Sequence, residues 1–149
     1  MKPIPILLGL AFFAGANFLS FQHLGAQQRD VTATVQFSSG QSVSVADSSD
    51  LIGIQPRELV NIKIQFTADA IGQPVIVEAL NGGSTSIGSS IRVVEADGTL
   101  SFVFLATAKP GPRSIGIRSG SRTFRLRFWV LDLANPQNNP STLTAVSHS

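Results

Sequence analysis

Between Gln27 and Ser147 the chain contains no His, Cys or Tyr. Nucleophilic catalysis by a Ser-His-Asp or Cys-His set needs an imidazole as base. The histidines, His23 and His148, stand outside that stretch. Structural zinc wants His or Cys ligands and is not expected. Carboxylates remain, at Asp47, Asp50, Asp69, Glu78, Glu95 and Asp97 among others. A pair of them could run glycoside hydrolysis. Asp69 and Asp97, however, fall in turn-like sequence, where Asp is favoured for local hydrogen bonds, and no acid/base pair is assigned. Asp47-Ser48-Ser49-Asp50 offers oxygen ligands for calcium without EF-hand spacing, and reads as a solvated loop. Asn81-Gly82-Gly83-Ser84 opens no helix, so it does not read as a phosphate cradle. No catalytic residue, metal or cofactor is expected, and the chain is not read as an enzyme.

One constellation has binding chemistry. Arg125, Arg127 and Trp129 alternate with Phe124, Leu126, Phe128 and Val130. On a strand they would share one face, about 7 Å apart at each step. Arg and Trp are enriched in interface hot spots, and Arg over an indole contributes about 0.5–2 kcal/mol. Two other readings stand beside a binding face. The Arg stems could merely cover the sheet and shield the indole, or Trp129 could turn inward near the end of the domain. Arg118 and Arg122 could extend either version of the patch.

The elements that must position these residues are strands. After the N-terminal segment, period-2 alternation rich in Val, Ile, Thr and Phe dominates. Val31, Ala33, Val35 and Phe37 share a face; Ser38-Ser39-Gly40 is a turn, and Val43 and Val45 continue a split first strand. Residues 47–53 read as a loop. Val60, Ile62, Ile64 and Phe66 alternate with Asn61, Lys63 and Gln65, giving one core face and one wet face. Val75, Val77 and Ala79 follow, and residues 84–90 form a loop or weak edge strand. Asp97-Gly98 between residues 91–95 and 100–105 predicts a hairpin, with Leu100, Phe102 and Phe104 inward. Lys109-Pro110-Gly111-Pro112 is a corner that a central strand excludes. Ile115 and Ile117 precede the last strand. Residues 134–149 are polar and broken by Pro136 and Pro140, which predicts a mobile tail. About seven strands at this spacing predict an all-β, antiparallel β-sandwich over residues 27–133, with a closed barrel as the alternative.

Met1-Lys2, an apolar run over residues 4–13 and the small residues Ala14-Gly15-Ala16 have the pattern of a secretory signal helix. Ala14-Gly15-Ala16 and Leu24-Gly25-Ala26 compete as the cleavage site. The second leaves a polar start at Gln27, so residues 1–26 are read as the signal peptide, with an uncleaved anchor as the alternative. Lys2 is the one basic residue of 11 that the signal would carry away, against 9 acidic residues. The mature chain is then close to neutral, and its Arg residues are scattered rather than clustered in sequence. Neither nucleic acid nor a membrane, beyond the signal or anchor, is an expected partner.

Several stretches carry a family resemblance: Asp97-Gly98-Thr99-Leu100-Ser101-Phe102-Val103-Phe104, Pro110-Gly111-Pro112, Ile115-Gly116-Ile117 and residues 124–129. Together they resemble the second half of bacterial immunoglobulin-like domains. Residues 60–80, with the link Gly72-Gln73-Pro74-Val75, are similar to the preceding strand pair. The resemblance covers about residues 58–131. The inter-sheet disulfide and Tyr corner of antibody-type domains have no counterpart here, and Trp129 sits in the final strand. The resemblance implies an immunoglobulin-like sandwich and a structural or adhesive role. The expected function is an exported, non-enzymatic interaction or structural module, periplasmic or extracellular, whose partner is a protein or an envelope or extracellular polymer. The alternative is a carbohydrate- or small-ligand-binding module, which needs a concave face with exposed aromatics. Arg125, Arg127 and Trp129 are the expected binding residues.

Overall fold

The computed structural model describes residues 31–46, 49–88, 90–120 and 122–148. The expected signal, residues 1–26, lies outside the described residues, as do Asp47 and Ser48 of the considered calcium loop. Among the described residues no helix is long and apolar enough to cross a membrane.

The fold is an all-β sandwich. In chain order the strands are β1 (Val31–Gln36), β2 (Ser42–Val45), β3 (Leu51–Ile54), β4 (Leu59–Phe66), β5 (Pro74–Ala79), β6 (Ser84–Thr85), β7 (Ile91–Val93), β8 (Thr99–Leu105), β9 (Gly111–Ser119), β10 (Arg122–Val130) and β11 (Ala145–Val146). One sheet has the order β2-β1-β4-β8-β6 and the other β11-β3-β10-β9-β5-β7. The alternating residues of β4, β8, β9 and β10 bury one face and expose the other, because successive side chains point to opposite sides of a strand. Ile62, Ile64, Phe104, Ile115, Leu126 and Phe128 are all at most 1% exposed. Phe104 of one sheet stacks on Phe128 of the other at 5.4 Å between ring centroids. That contact packs one sheet against the other.

Five features differ from the sequence reading. Gly111 and Pro112, read as a corner outside any central strand, open β9, where Pro112 stands opposite Trp129 at the end of the strand that β5 does not pair. Among the described residues there are more strands than the seven expected, because short edge pieces add to the main ones. Residues 51–54, within the expected loop, form β3, which runs parallel to β10 with Leu51 opposite Arg127. The six-stranded sheet is therefore mixed rather than wholly antiparallel. Leu51-Ile52-Gly53-Ile54 is too short to show alternation, and Ile52, Gly53 and Ile54 are all buried.

The Asp97–Gly98 turn exists, closed by Gly98 N–H donating to Glu95 O at 2.9 Å. Its arms, however, belong to different sheets. Val94 is held by the loop before β5, donating to Gln73 O and accepting from Gly72 N–H. Strand β8 pairs with β4. The turn is a crossover between layers, not a hairpin.

Residues 134–149, expected to form a mobile tail, carry a 3-10 turn over Pro136–Asn138 and strand β11. Strand β11 lies parallel to β3, with Ala145 opposite Ile52. The chain from β10 thus returns across the sheet to add a strand beyond β3. Polar residues that looked unpartnered in sequence find each other. Asp132 Oδ1 accepts from Asn135 N–H, Asp132 Oδ2 from Asn138 Nδ2, and Ser147, fully buried, donates to Glu58.

Candidate binding surface

The described residues hold no group of three or more His, Asp or Glu side chains placed to bind a metal ion. The carboxylates are used locally. Asp97 Oδ1 accepts from the Thr99 hydroxyl at 2.6 Å and the Thr99 N–H at 3.1 Å. The Thr99 hydroxyl bond is the main reason its pKa lies below the ordinary value. Asp69 is lowered first by the Thr67 hydroxyl and then by the Arg122 guanidinium, which lies 3.2 Å away. Asp132 is lowered by the Asn138 amide and the Asn135 N–H. Asp50 accepts from the Thr144 hydroxyl at 3.1 Å. Each of these bonds braces a loop or turn.

Glu58 is the exception in burial, at 6% exposed. Its Oε1 accepts from Gln55 N–H at 2.8 Å. Its Oε2 accepts from the Ser38 N–H, the Ser38 hydroxyl and the Ser147 hydroxyl at 3.1, 2.9 and 2.8 Å. A buried carboxylate that receives this many donors is well solvated by protein. It ties the β1–β2 turn, the β3–β4 turn and the segment after β11 to one point. Nothing in the sequence pattern singled it out, because apart from the nearby Gln55 its partners lie 20 and 89 residues away.

On β10 the side chains fall as the alternation requires. Phe124, Leu126, Phe128 and Val130 are buried, Arg125 and Arg127 are exposed, and Trp129 is half-buried. Arg125, Arg127 and Trp129 each stand in a row across the outer face of the six-stranded sheet. Arg125 is opposite Gly116 and Arg127 is opposite Ser114 on β9, with Leu51 of β3 on the other side of Arg127. Arg127 Nη1 reaches Ser49 O at 3.3 Å. Arg118, two rows from Arg127, lies 3.9 Å from Glu78.

Trp129 is set apart from the two arginines by its bonding. Its indole N–H donates to Asn139 Oδ1 at 3.2 Å, and the same oxygen accepts from Asp132 N–H at 2.7 Å. The segment after β10 therefore folds onto the indole. Beside it, a Cβ on Gly53 would come 3.0 Å from Leu143 Cδ1 and 3.3 Å from Leu131 Cδ2. Glycine at that position lets the returning segment lie close against the sheet. Arg125 and Arg127 form an exposed row, while the indole is an anchor for the chain that follows it.

The outer face of the five-stranded sheet differs. A shallow groove of about 510 Å³ is lined by Gln36, Ser42, Asn61, Lys63, Ser86 and Ser101, with Thr34, Val103 and parts of Ile62 and Phe102. Gln36 stands opposite both Ser42 and Asn61 in the ladder. Seven of its ten lining residues are polar, Lys63 being the one charged group, but carbon atoms make up the larger part of the lining surface.

No family model matches the sequence, and no curated protein matches it. Among solved structures, it is similar to domains 4 and 5 of the S-layer protein SbsC, with TM-score 0.42 and 13% identity over 68% of this chain and 58% of that one. It is also similar to the D00-D0 domain of intimin, with TM-score 0.41 and 14% identity over 72% of this chain and 67% of that one.

Proposed function

We propose that this protein is an exported, non-enzymatic interaction or structural module of the cell envelope or extracellular space, built on an immunoglobulin-like sandwich. The observation that carries the reading is the exposed Arg125–Arg127 row, held above the buried Phe124, Leu126 and Phe128. Two arginines on one strand face, their backbone positions about 7 Å apart, offer guanidinium donors to a carboxylate-bearing partner, with Arg127 Nη1 also reaching Ser49 O. The partner class is a protein or an envelope polymer. The N-terminal segment, with its apolar run and small residues, supports export.

Two measurements test this reading. Mass spectrometry of the native protein should show a mature start at Gln27 in a periplasmic or extracellular fraction; an intact Met1 on a cytosolic protein refutes export. The double variant Arg125→Ser/Arg127→Ser should remain folded and lose capture of its partner from envelope extracts. Undiminished capture by the folded double variant refutes the Arg row.

The carbohydrate- or small-ligand reading would use the groove on the opposite face, whose one aromatic, Phe102, is buried and gives no exposed platform. Asn61→Ala/Lys63→Ala tests it, since that double variant should abolish glycan binding if the groove is used and leave Arg-row capture unchanged.

A further inference from the structure

Strand β7 ends the six-stranded sheet, and its three residues are exposed. Ile91 retains 65% and Val93 54% of its surface. They stand opposite Ile76 and Pro74 of β5. Val75 and Val77 are in the core, so Ile76, Ile91 and Val93 share the outer face of the sheet. Val94 exchanges its bonds with Gly72 and Gln73. Counting back along the alternation of an antiparallel ladder, Arg92 turns its N–H and C=O toward Val75. The backbone groups of Ile91 and Val93 point the other way, along the open edge.

Such an edge is a template for another strand. Arg92 decides which. It stands in register with the buried Val75, and its side chain makes no hydrogen bond or ion pair with the described residues. If two copies paired through β7 in the fully overlapping antiparallel register, the two Arg92 side chains would be directly opposite. Like charges in that position are destabilising. The same site favours a carboxylate. The geometry points to β7 as a docking edge for an extended segment of another protein, alternating apolar, acidic and apolar residues, with its acidic residue opposite Arg92. This deepens the interaction role proposed above and rests on it.

The probe is an end-blocked peptide, Thr-Val-Glu-Val-Thr, added to the isotope-labelled protein. It should shift the amide resonances of Ile91 and Val93 and slow their hydrogen exchange. The Lys-centred peptide should bind about fivefold to tenfold more weakly, the ratio expected for exchanging an attractive for a repulsive cross-strand pair. Arg92→Glu should reverse that preference. Sedimentation should show a monomeric wild type, and a concentration-dependent dimer for Arg92→Val. Absence of shifts at Ile91 and Val93, a preference unaltered by Arg92→Glu, a wild type that dimerises through β7, or a monomeric Arg92→Val each overturns the proposal. The Arg125→Ser/Arg127→Ser variant should take up the Glu peptide as wild type does. Loss of its partner capture with peptide binding kept isolates the Arg row, whereas intact capture in a protein that ignores the peptide refutes the edge alone.

Discussion

Removing the Glu58 carboxylate should be among the most damaging single changes in the domain. In Glu58→Ala four donors lose their acceptor: the N–H groups of Gln55 and Ser38, and the hydroxyls of Ser38 and Ser147. The hydroxyls can rotate toward other acceptors or water. The two N–H groups are fixed by the backbone and stay behind; Ser38 is exposed and Gln55 half-buried, so each costs toward the lower end of roughly 1–3 kcal/mol for an unsatisfied donor. With the buried Ser147 hydroxyl also losing its acceptor, the expected loss is about 3 kcal/mol, a large part of the roughly 5–15 kcal/mol that holds a typical domain. For a domain of this length that lowers the melting temperature by roughly 9–15 °C. Glu58→Gln keeps one acceptor but turns an amide donor toward other donors, and should cost about 2 kcal/mol. Ser147→Ala removes one hydroxyl from a carboxylate that keeps its other bonds, and should cost about 1 kcal/mol. Urea denaturation followed by the fluorescence of Trp129, the single tryptophan, measures all three. If Glu58→Ala costs no more than Ser147→Ala, Glu58 does not tie the two turns to the segment after β11.

Phe128→Ala should cost about 3–5 kcal/mol, since Phe128 is fully buried and stacks on Phe104, whereas the exposed Arg127→Ala should cost less than about 1 kcal/mol; equal denaturation midpoints would refute the strand phase. Gly83→Ala should destabilise by about 3 kcal/mol or more, because its Cβ would lie 2.6 Å from the Phe104 ring on a backbone with φ of +85°; calorimetry checks this. The carboxyl of Asp132 is held below its ordinary value by Asn138 and Asn135, so its contribution is present above the unfolded value of 3.8 and fades as pH falls through the lower folded value. Acidification below about pH 4 should therefore loosen the 132–139 turn and red-shift Trp129 emission before global unfolding, while Asp132→Asn should show the shifted emission already at neutral pH.

Burial was legible wherever a strand was long enough to alternate. Val60 to Phe66, Leu100 to Phe104 and Phe124 to Val130 declare their core faces within the strand itself, because the side-chain period of two is a local property of extended backbone. The outward placement of Arg125 and Arg127 follows from the same rule. Trp129 obeys it too, yet its role did not follow from it. Whether an outward indole is covered depends on a segment ten residues later, whose Asn139 must find it in space.

Composition and alternation by themselves determined an all-β sandwich, its inward residues and the absence of an imidazole or thiol in its body. The tertiary structure decided who pairs with whom. The Asp97–Gly98 turn has hairpin chemistry, but its arms separate because β5 and its loop hold one and β4 the other. β3 is a strand because β10 offers it a parallel edge, and the segment after β10 is ordered because β3 in turn offers one to β11. Backbone donors and acceptors are identical at every residue. Their pairing is therefore settled by which distant strands closure of the core brings alongside, and no local period of the sequence carries that information.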